Sequence, residues 1–417
     1  MTRLDWRTKG LPAVAEGSAG SELGALGLRL LDGDLMMPAA VLRERALHNN
    51  IGEMHSFAER CGVKLCPHGK TSMSPELFAL QLEAGAWGIT SATAHHVRIY
   101  RRLGIGRIFL ANQLAARADI EFILSEIAAD PDFDFYCLAD SPAGVDLLAD
   151  AAAGEKCPRP IQLLVEAGIG GGRSGVRTAA EGIALARHIT ARAPWVALRG
   201  VETFEGVRQT VDNARAEAVG MLELAVEIAE AAAGEGLFAP GPVMLSAGGS
   251  AFLDLCTSAL PAAIGGRGVE RVIRPGCYVT HDSGLYRRLT APDGEPLPGL
   301  PRLEHALEVW GVVQSLPEPG LAIVGVGKRD VSYDVEPPIP LRLHRPRSDA
   351  DPRAAEGLHV GSLWDQHLSL AGDTAGLRIG DLVGFGISHP CGTFDRWTAL
   401  FTVDDDYRVT GAVTTLF

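Results

Sequence analysis

Nowhere in the sequence do about 18 uncharged apolar residues run together, the length a helix needs to cross a bilayer, so no membrane span is expected. The first fifteen residues, MTRLDWRTKGLPAVA, lack an apolar core ahead of a small-residue cleavage site, so no secretory signal is expected either. The seven cysteines (Cys61, Cys66, Cys137, Cys157, Cys256, Cys277 and Cys391) are odd in number and include no C-x-x-C pair. That argues against a disulfide framework and for a reducing cytoplasm. Cations are in the minority, 38 Lys and Arg against 51 Asp and Glu, for a formal net charge of -13. Such a balance excludes a general nucleic-acid binder, because phosphate contacts need clustered cations.

What is present is apolar bulk. Of 417 residues, 47% are hydrophobic and 21% charged, enough for a sizeable core and incompatible with a disordered or fibrous chain. The length suits two or three domains, or one large barrel with an addition. From about residue 40 to 280, short apolar runs alternate with stretches of helical spacing. The runs are VKLCPHG from Val63, GITSAT from Gly88, RIFLANQ from Arg107, DFYCLA from Asp134, IQLLVEA from Ile161, LRGVETF from Leu198, VMLSAGG from Val243 and VIRPGCYV from Val272. Eight buried runs alternating with helices predict a (β/α)8 barrel of TIM type. A doubly wound open sheet is the alternative, but no G-x-G-x-x-G follows the first run.

After about Asp282 the texture changes. Residues 291–301 are rich in Pro and Gly and read as a connector. The runs beyond look like strands, and the Pro-rich, charged stretch 335–357 reads as loop. The expected organisation is therefore an α/β barrel over 36–282 and a mostly-β C-terminal domain over 283–417. Residues 1–35 are expected to pack with the β domain.

Four places can carry chemistry. Lys70 ends the first run, where barrel strands point into the active-site mouth. Walled by apolar strand, its ammonium would be destabilised and its amine freed as a nucleophile; a solvated lysine in a βα loop is the competing reading. His68, two residues earlier, shares its strand face and can orient it or touch a cofactor; a satisfied core histidine is equally compatible. SAGGS, Ser246–Ser250, follows the seventh run, where barrels often bind phosphate through backbone N–H groups; an ordinary Gly-rich turn is equally compatible. RPGCY, Arg274–Tyr278, can complete that cradle. Arg173 in EAGIGGGRSG can bind a carboxylate or a ring nitrogen, or be a plain surface arginine. In ISHPCGTFDRW, His389 and Cys391 can reach one Zn²⁺ from an extended segment or turn, leaving positions open for water and substrate; a loop histidine and a buried cysteine, paired by chance, is the competing reading and the one the motif alone favours. Asp365 and His367 are possible neighbours.

The stretch CPHGKTSMSPELFALQLEAGAWGITSAT resembles the lysine-bearing segment of D-serine dehydratases and D-threonine aldolases, pyridoxal-phosphate enzymes of the alanine-racemase-like, fold-type III class. The family pattern is approximately R-P-H-x-K-T-H-K-S-P-E-L. Pro67, His68, Lys70, Thr71, Ser74, Pro75, Glu76 and Leu77 keep it, while Cys66, Ser72 and Met73 depart from it. The resemblance continues at GGRSGV, ETFEG, SAGGS, RPGCYV and SHPCGTFDRW, in the expected order.

It implies that Lys70 forms the Schiff base with pyridoxal 5'-phosphate and later moves the Cα proton. It implies that Ser246, Gly248, Gly249 and Tyr278 lie near the phosphate, and Arg173 by the pyridine ring. Phe204 stands where relatives often carry tyrosine, so a hydroxyl role there is lost. His389 and Cys391 would hold Zn²⁺, and His-x-Cys is similar to the D-serine dehydratase branch, where the aldolases look like His-x-Asp. The implied activity is dehydration of a β-hydroxy D-amino acid to a 2-keto acid and ammonia, by a cytoplasmic homodimer. D-threonine aldolase-type cleavage, racemisation and a non-catalytic pyridoxal-phosphate carrier are the alternatives.

Overall fold

The computed structural model describes residues 3–291 and 294–417. Pro292 and Asp293, part of the connector expected at 291–301, fall outside the described residues, as do Met1 and Thr2. The chain divides into two units, one of residues 55–70 and 81–276, the other of residues 1–54, 71–80 and 277–417.

The first unit is a ring of eight parallel strands. They are β1 (Lys64–Leu65), β2 (Ile89–Ser91), β3 (Arg107–Gln113), β4 (Asp134–Ala139), β5 (Ile161–Ala167), β6 (Val196–Thr203), β7 (Val243–Ala247) and β8 (Arg267–Ile273). Each strand pairs with its neighbour in sequence from β2 round to β8, and β8 pairs with β1. The ring closes just after β1, where His68 bridges Thr90, Trp87 N–H donates to Leu65 O at 2.7 Å and Thr90 N–H donates to Pro67 O at 2.8 Å. This is the expected (β/α)8 arrangement. The eighth strand begins five residues before the apolar run that announced it, because its first five residues, Arg267–Arg271, are not fully buried.

Cys66, Phe109, Tyr136, Leu138, Leu164, Met244 and Val272 fill one layer of the interior. The helices between strands start where local chemistry says they should. Thr93 and Ser141 accept from the backbone N–H three residues on, and Thr178 with Glu181 forms a capping box.

The second unit is built on a mixed ten-stranded sheet. Its main path runs Arg353–Ala354, Ile339–His344, Leu382–Gly386, Leu307–Glu318, Ala39–Arg43, Ala399–Val403 and Val409–Thr414. Ala39–Arg43 belongs here, although the sequence placed it inside the barrel's 36–282 span. It is buried along four of its five residues, so it carries no polar alternation to distinguish it from a barrel strand. The Pro-rich stretch 335–357 likewise holds two strands where loop was expected. Pro340 is accommodated because the pairing slips between Pro340 and Arg342. Leu4, Leu11, Leu23, Leu28, Leu30 and Leu31 from the N-terminal residues bury against Trp310, Phe401 and Tyr407. No described helix is long and apolar enough to cross a membrane.

Two glycines test the packing account. A Cβ on Gly200 in β6 would collide with Met244 O of β7, whereas one on Gly220, exposed in the helix Ala214–Gly234, meets nothing within 4 Å. Gly220→Ala should therefore stabilise the chain by about 0.5–1 kcal/mol through helix propensity. Gly200→Ala should destabilise it by about 1–3 kcal/mol or more by overpacking the strand pair. Chemical denaturation of the two variants beside the parent checks both signs.

Candidate active site

At the C-terminal ends of the barrel strands the chain leaves β1 through the segment Cys66–Gly69 and makes a 3-10 turn, Gly69–Thr71, that carries Lys70. Lys70 is exposed rather than walled in, because the turn lifts it clear of the apolar strand that was expected to enclose it. Gly69 has to be small, since a Cβ there would run into the Tyr100 hydroxyl. His68 sits at the ring-closing bridge. Its buried Nδ1 has no partner in the protein. Burial, then the charges of Lys70, Arg274, His96 and Arg173, hold the His68 imidazole well below its ordinary value, so it is neutral at pH 7. His96 is pushed down to about 4, chiefly by burial.

The next groups form a buried polar layer. Arg274, just past β8, donates to Glu202 on β6 at 2.5 Å and to the Ser246 hydroxyl on β7. Ser246 itself donates to Val272 O at 3.1 Å. The Ser246 hydroxyl, expected from the sequence to lie near a phosphate, faces Arg274. Burial pushes the Glu202 carboxyl up to about 7 in spite of the Arg274 guanidinium.

The backbone at Gly248 and Gly249 is turned toward Glu205. The N–H groups of Gly248 and Gly249 donate to the two oxygens of the Glu205 carboxylate, each at 2.8 Å. A Cβ on Gly248 would press on the Phe204 ring at 2.7 Å, so only glycine lets the backbone come this close. Arg173 lies over the Phe204 ring, 5.4 Å from its centroid, and 3.9 Å from Glu166. Arg173, Phe204, Glu166 and Ser174 line one small cleft.

The remaining predicted residues lie in the second unit. Tyr278 is buried in the 3-10 turn Cys277–Val279. Cys391 opens the short helix Cys391–Phe394. Its Sγ lies 3.3 Å from Thr71 Oγ1 and 3.8 Å from Cys277 Sγ. His389 Nδ1 pairs with Asp334 Oδ2 at 2.6 Å. The Cys391 thiol is held well below its ordinary value by Cys277 first, then by His389 and Thr71, against the effect of burial. His389 is raised to about 9 by Cys391 and Asp334.

Asp365 and His367 are exposed in the hairpin between Leu358–Leu363 and Leu368–Gly372 and make no bond to either residue. Among the described residues, no group of three His, Cys, Asp or Glu side chains is preassembled for a metal. Asp334, Cys277 and Glu205 were missed as functional groups by sequence reasoning. Only tertiary pairing brings them in, and no local spacing announces it.

Comparison with known proteins extends this picture. Residues 42–279 match the family model "Alanine racemase, N-terminal domain", and residues 306–403 match "Putative serine dehydratase domain". The 3-hydroxy-D-aspartate aldolase of Paracoccus denitrificans (strain Pd 1222) is 25% identical over 307 residues, 73% of this chain and 75% of that protein. The D-threo-3-hydroxyaspartate dehydratase of Delftia sp. (strain HT23) is 30% identical over 250 residues, 59% of this chain and 61% of that protein. A solved structure of a D-threo-3-hydroxyaspartate dehydratase, a cysteine-to-alanine mutant in the metal-free form, superposes with TM-score 0.71 at 23% identity, covering 93% of this chain and 99% of that one. The D-threonine aldolase from Filomicrobium marinum superposes with TM-score 0.76 at 22% identity, covering 93% of this chain and 97% of that one.

The Glu202 carboxyl makes a pH test. Above its ordinary value of 4.5 the unfolded chain ionises Glu202, while the folded chain keeps the proton until about 7. Folding then takes up a proton across that window, so this residue's contribution falls as pH rises from 4.5 to 7. Denaturant titrations of wild type and Glu202→Gln should show their stability difference shifting toward the variant by up to about 3 kcal/mol between pH 4.5 and 7.5.

Proposed function

We propose that this chain, which belongs to the fold-type III pyridoxal-phosphate family of D-serine dehydratases and D-threonine aldolases, is a lyase that dehydrates β-hydroxy D-amino acids. Pyridoxal phosphate would be held by Lys70 and zinc by His389 and Cys391. One observation carries the reading: the Cys391 sulfur lies 3.3 Å from the hydroxyl of Thr71, the residue that follows Lys70 in the chain, and His389, two residues before that cysteine, is braced by the Asp334 carboxylate. The names of the Paracoccus and Delftia relatives support substrates that include 3-hydroxyaspartate.

The residues present fit both groups. His68 Nδ1 is a buried polar atom lacking a protein partner, the opening a bound ring or carboxylate would fill. The Gly248–Gly249 nest already holds an anion, the Glu205 carboxylate, which a phosphate seated there has to displace. Thiolate and imidazole are the donor set zinc prefers.

Pyridoxal phosphate supplies the electron sink for charge developing at Cα, and zinc the Lewis acidity that lets a β-hydroxide depart. Lys70 Nζ would hold the cofactor, and the same amine would be the group that moves the Cα proton. Its exposed position leaves it free to move between the two tasks. His68, neutral, offers Nδ1 for a hydrogen bond without adding charge. Asp334 holds Nδ1 of His389 and so leaves Nε2 for the metal. The aminoacrylate that leaves hydrolyses in water to a 2-keto acid and ammonia. The enzyme acts as a homodimer in the cytoplasm.

Wild type should release a 2-keto acid and ammonia from D-serine or D-threo-3-hydroxyaspartate, measured by a coupled dehydrogenase assay. Lys70→Ala should lose roughly 100-fold or more of that rate, together with the visible absorption band of the cofactor. Glycine plus an aldehyde as the product would move the chain to the aldolase reading. A Lys70→Ala variant that keeps the band would end the assignment of the lysine.

A further inference from the structure

We infer that Cys277 is a third protein ligand of the zinc, making the site Cys277, Cys391 and His389 with the fourth position open. The inference rests on the reading of His389 and Cys391 as metal ligands and deepens it.

A catalytic zinc is usually held by three protein ligands, with water or substrate in the fourth place. His389 and Cys391 alone fall one short. The Cys277 Sγ stands 3.8 Å from the Cys391 Sγ. Two thiolates bound to one tetrahedral zinc at about 2.3 Å each are separated by about 3.8 Å, the edge of that tetrahedron. A disulfide needs sulfurs at about 2.05 Å, and neither cysteine is in one. In the protein alone the two thiols make an S–H···S contact, and at this spacing the same two sulfurs match the edge of a tetrahedron about one common ion.

Position supports the same assignment. Cys277 opens the buried turn Cys277–Val279, and Cys391 opens the helix Cys391–Phe394, so both sulfurs sit on backbone held at a fixed place. Cys277 is 6% exposed, which keeps the sulfur away from bulk water and from thiol reagents. His389 is the donor that has to close onto the sulfurs, since the three are not preassembled. Asp334 already holds the far nitrogen of its ring. The resulting two-sulfur, one-nitrogen set places more negative charge on the ion than a one-sulfur set. It makes the site a softer one that favours zinc over magnesium or manganese.

Zinc K-edge X-ray absorption on the full chain loaded with pyridoxal phosphate and one equivalent of Zn²⁺ tests this without an activity readout. Two sulfur scatterers at about 2.3 Å are expected in wild type, and one in Cys277→Ser. Competition with a chromophoric chelator should show zinc bound roughly 100-fold more weakly by Cys277→Ser, with the circular dichroism of the wild type retained. Cys277→Ala, which removes the side chain's donor atom altogether, should behave the same way. One sulfur in wild type, or unchanged zinc affinity in both variants, overturns the assignment while leaving the His389–Cys391 site standing. A wild type that takes up no zinc overturns this inference and the metal part of the proposed function together.

Discussion

The strand ring depends on how one short segment is hydrogen-bonded on both sides. Residues 64–68 pair with β8 through Val272 and Ile273, and Cys66 N–H and His68 N–H donate to Ile273 O and Pro275 O. On the other side they receive Thr90 N–H and the Thr90 hydroxyl. Without this two-sided pairing the sheet would have open edges at β1 and β2. With it, the chain leaves the ring in a single direction, and the Gly69–Thr71 turn carries Lys70 out at the strand ends. Fold closure and placement of the lysine are one constraint, and His68 is the residue where they meet.

Above that closure lies a layer where charge is buried at a cost. Arg274 and Glu202 are 4% and 1% exposed. A buried pair of this kind seldom adds net stability over an apolar pair, so its presence in a barrel otherwise packed with Leu, Val and Phe indicates a site rather than a core. Glu205 makes the same point from the other side of the layer. A carboxylate accepting two backbone N–H groups shows where the loop after β7 concentrates positive potential. The polar groups of the site thus hold one another in the protein alone, with His68 Nδ1 as an opening.

Much of this was legible from the chain. Eight apolar runs announced the eight strands, and the run containing Lys70 led to the turn that carries it. What was illegible has physical reasons. Ala39–Arg43 is nearly fully buried, so its pattern does not say which sheet it joins. Pro340 disguised a strand whose pairing slips at that residue. Ser246 was readable as a residue at a strand end, but its pairing with Glu202 through Arg274 depends on strand tilt and register. Asp334 is 55 residues from His389 and Cys277 is 114 from Cys391, separations over which sequence pattern carries no distance. The desolvated lysine expected from an apolar strand is instead exposed, because a 3-10 turn intervenes before it.

The central claim is that one amine of the barrel turn carries the cofactor. The chain has only five lysines: Lys9, Lys64, Lys70, Lys156 and Lys328. Reduction of the holoprotein with borohydride, followed by proteolysis and peptide mass spectrometry, reads out which of them is bonded. The account predicts a phosphopyridoxyl group on Lys70 and on none of the other four. The group on any other lysine, or on none, would contradict it.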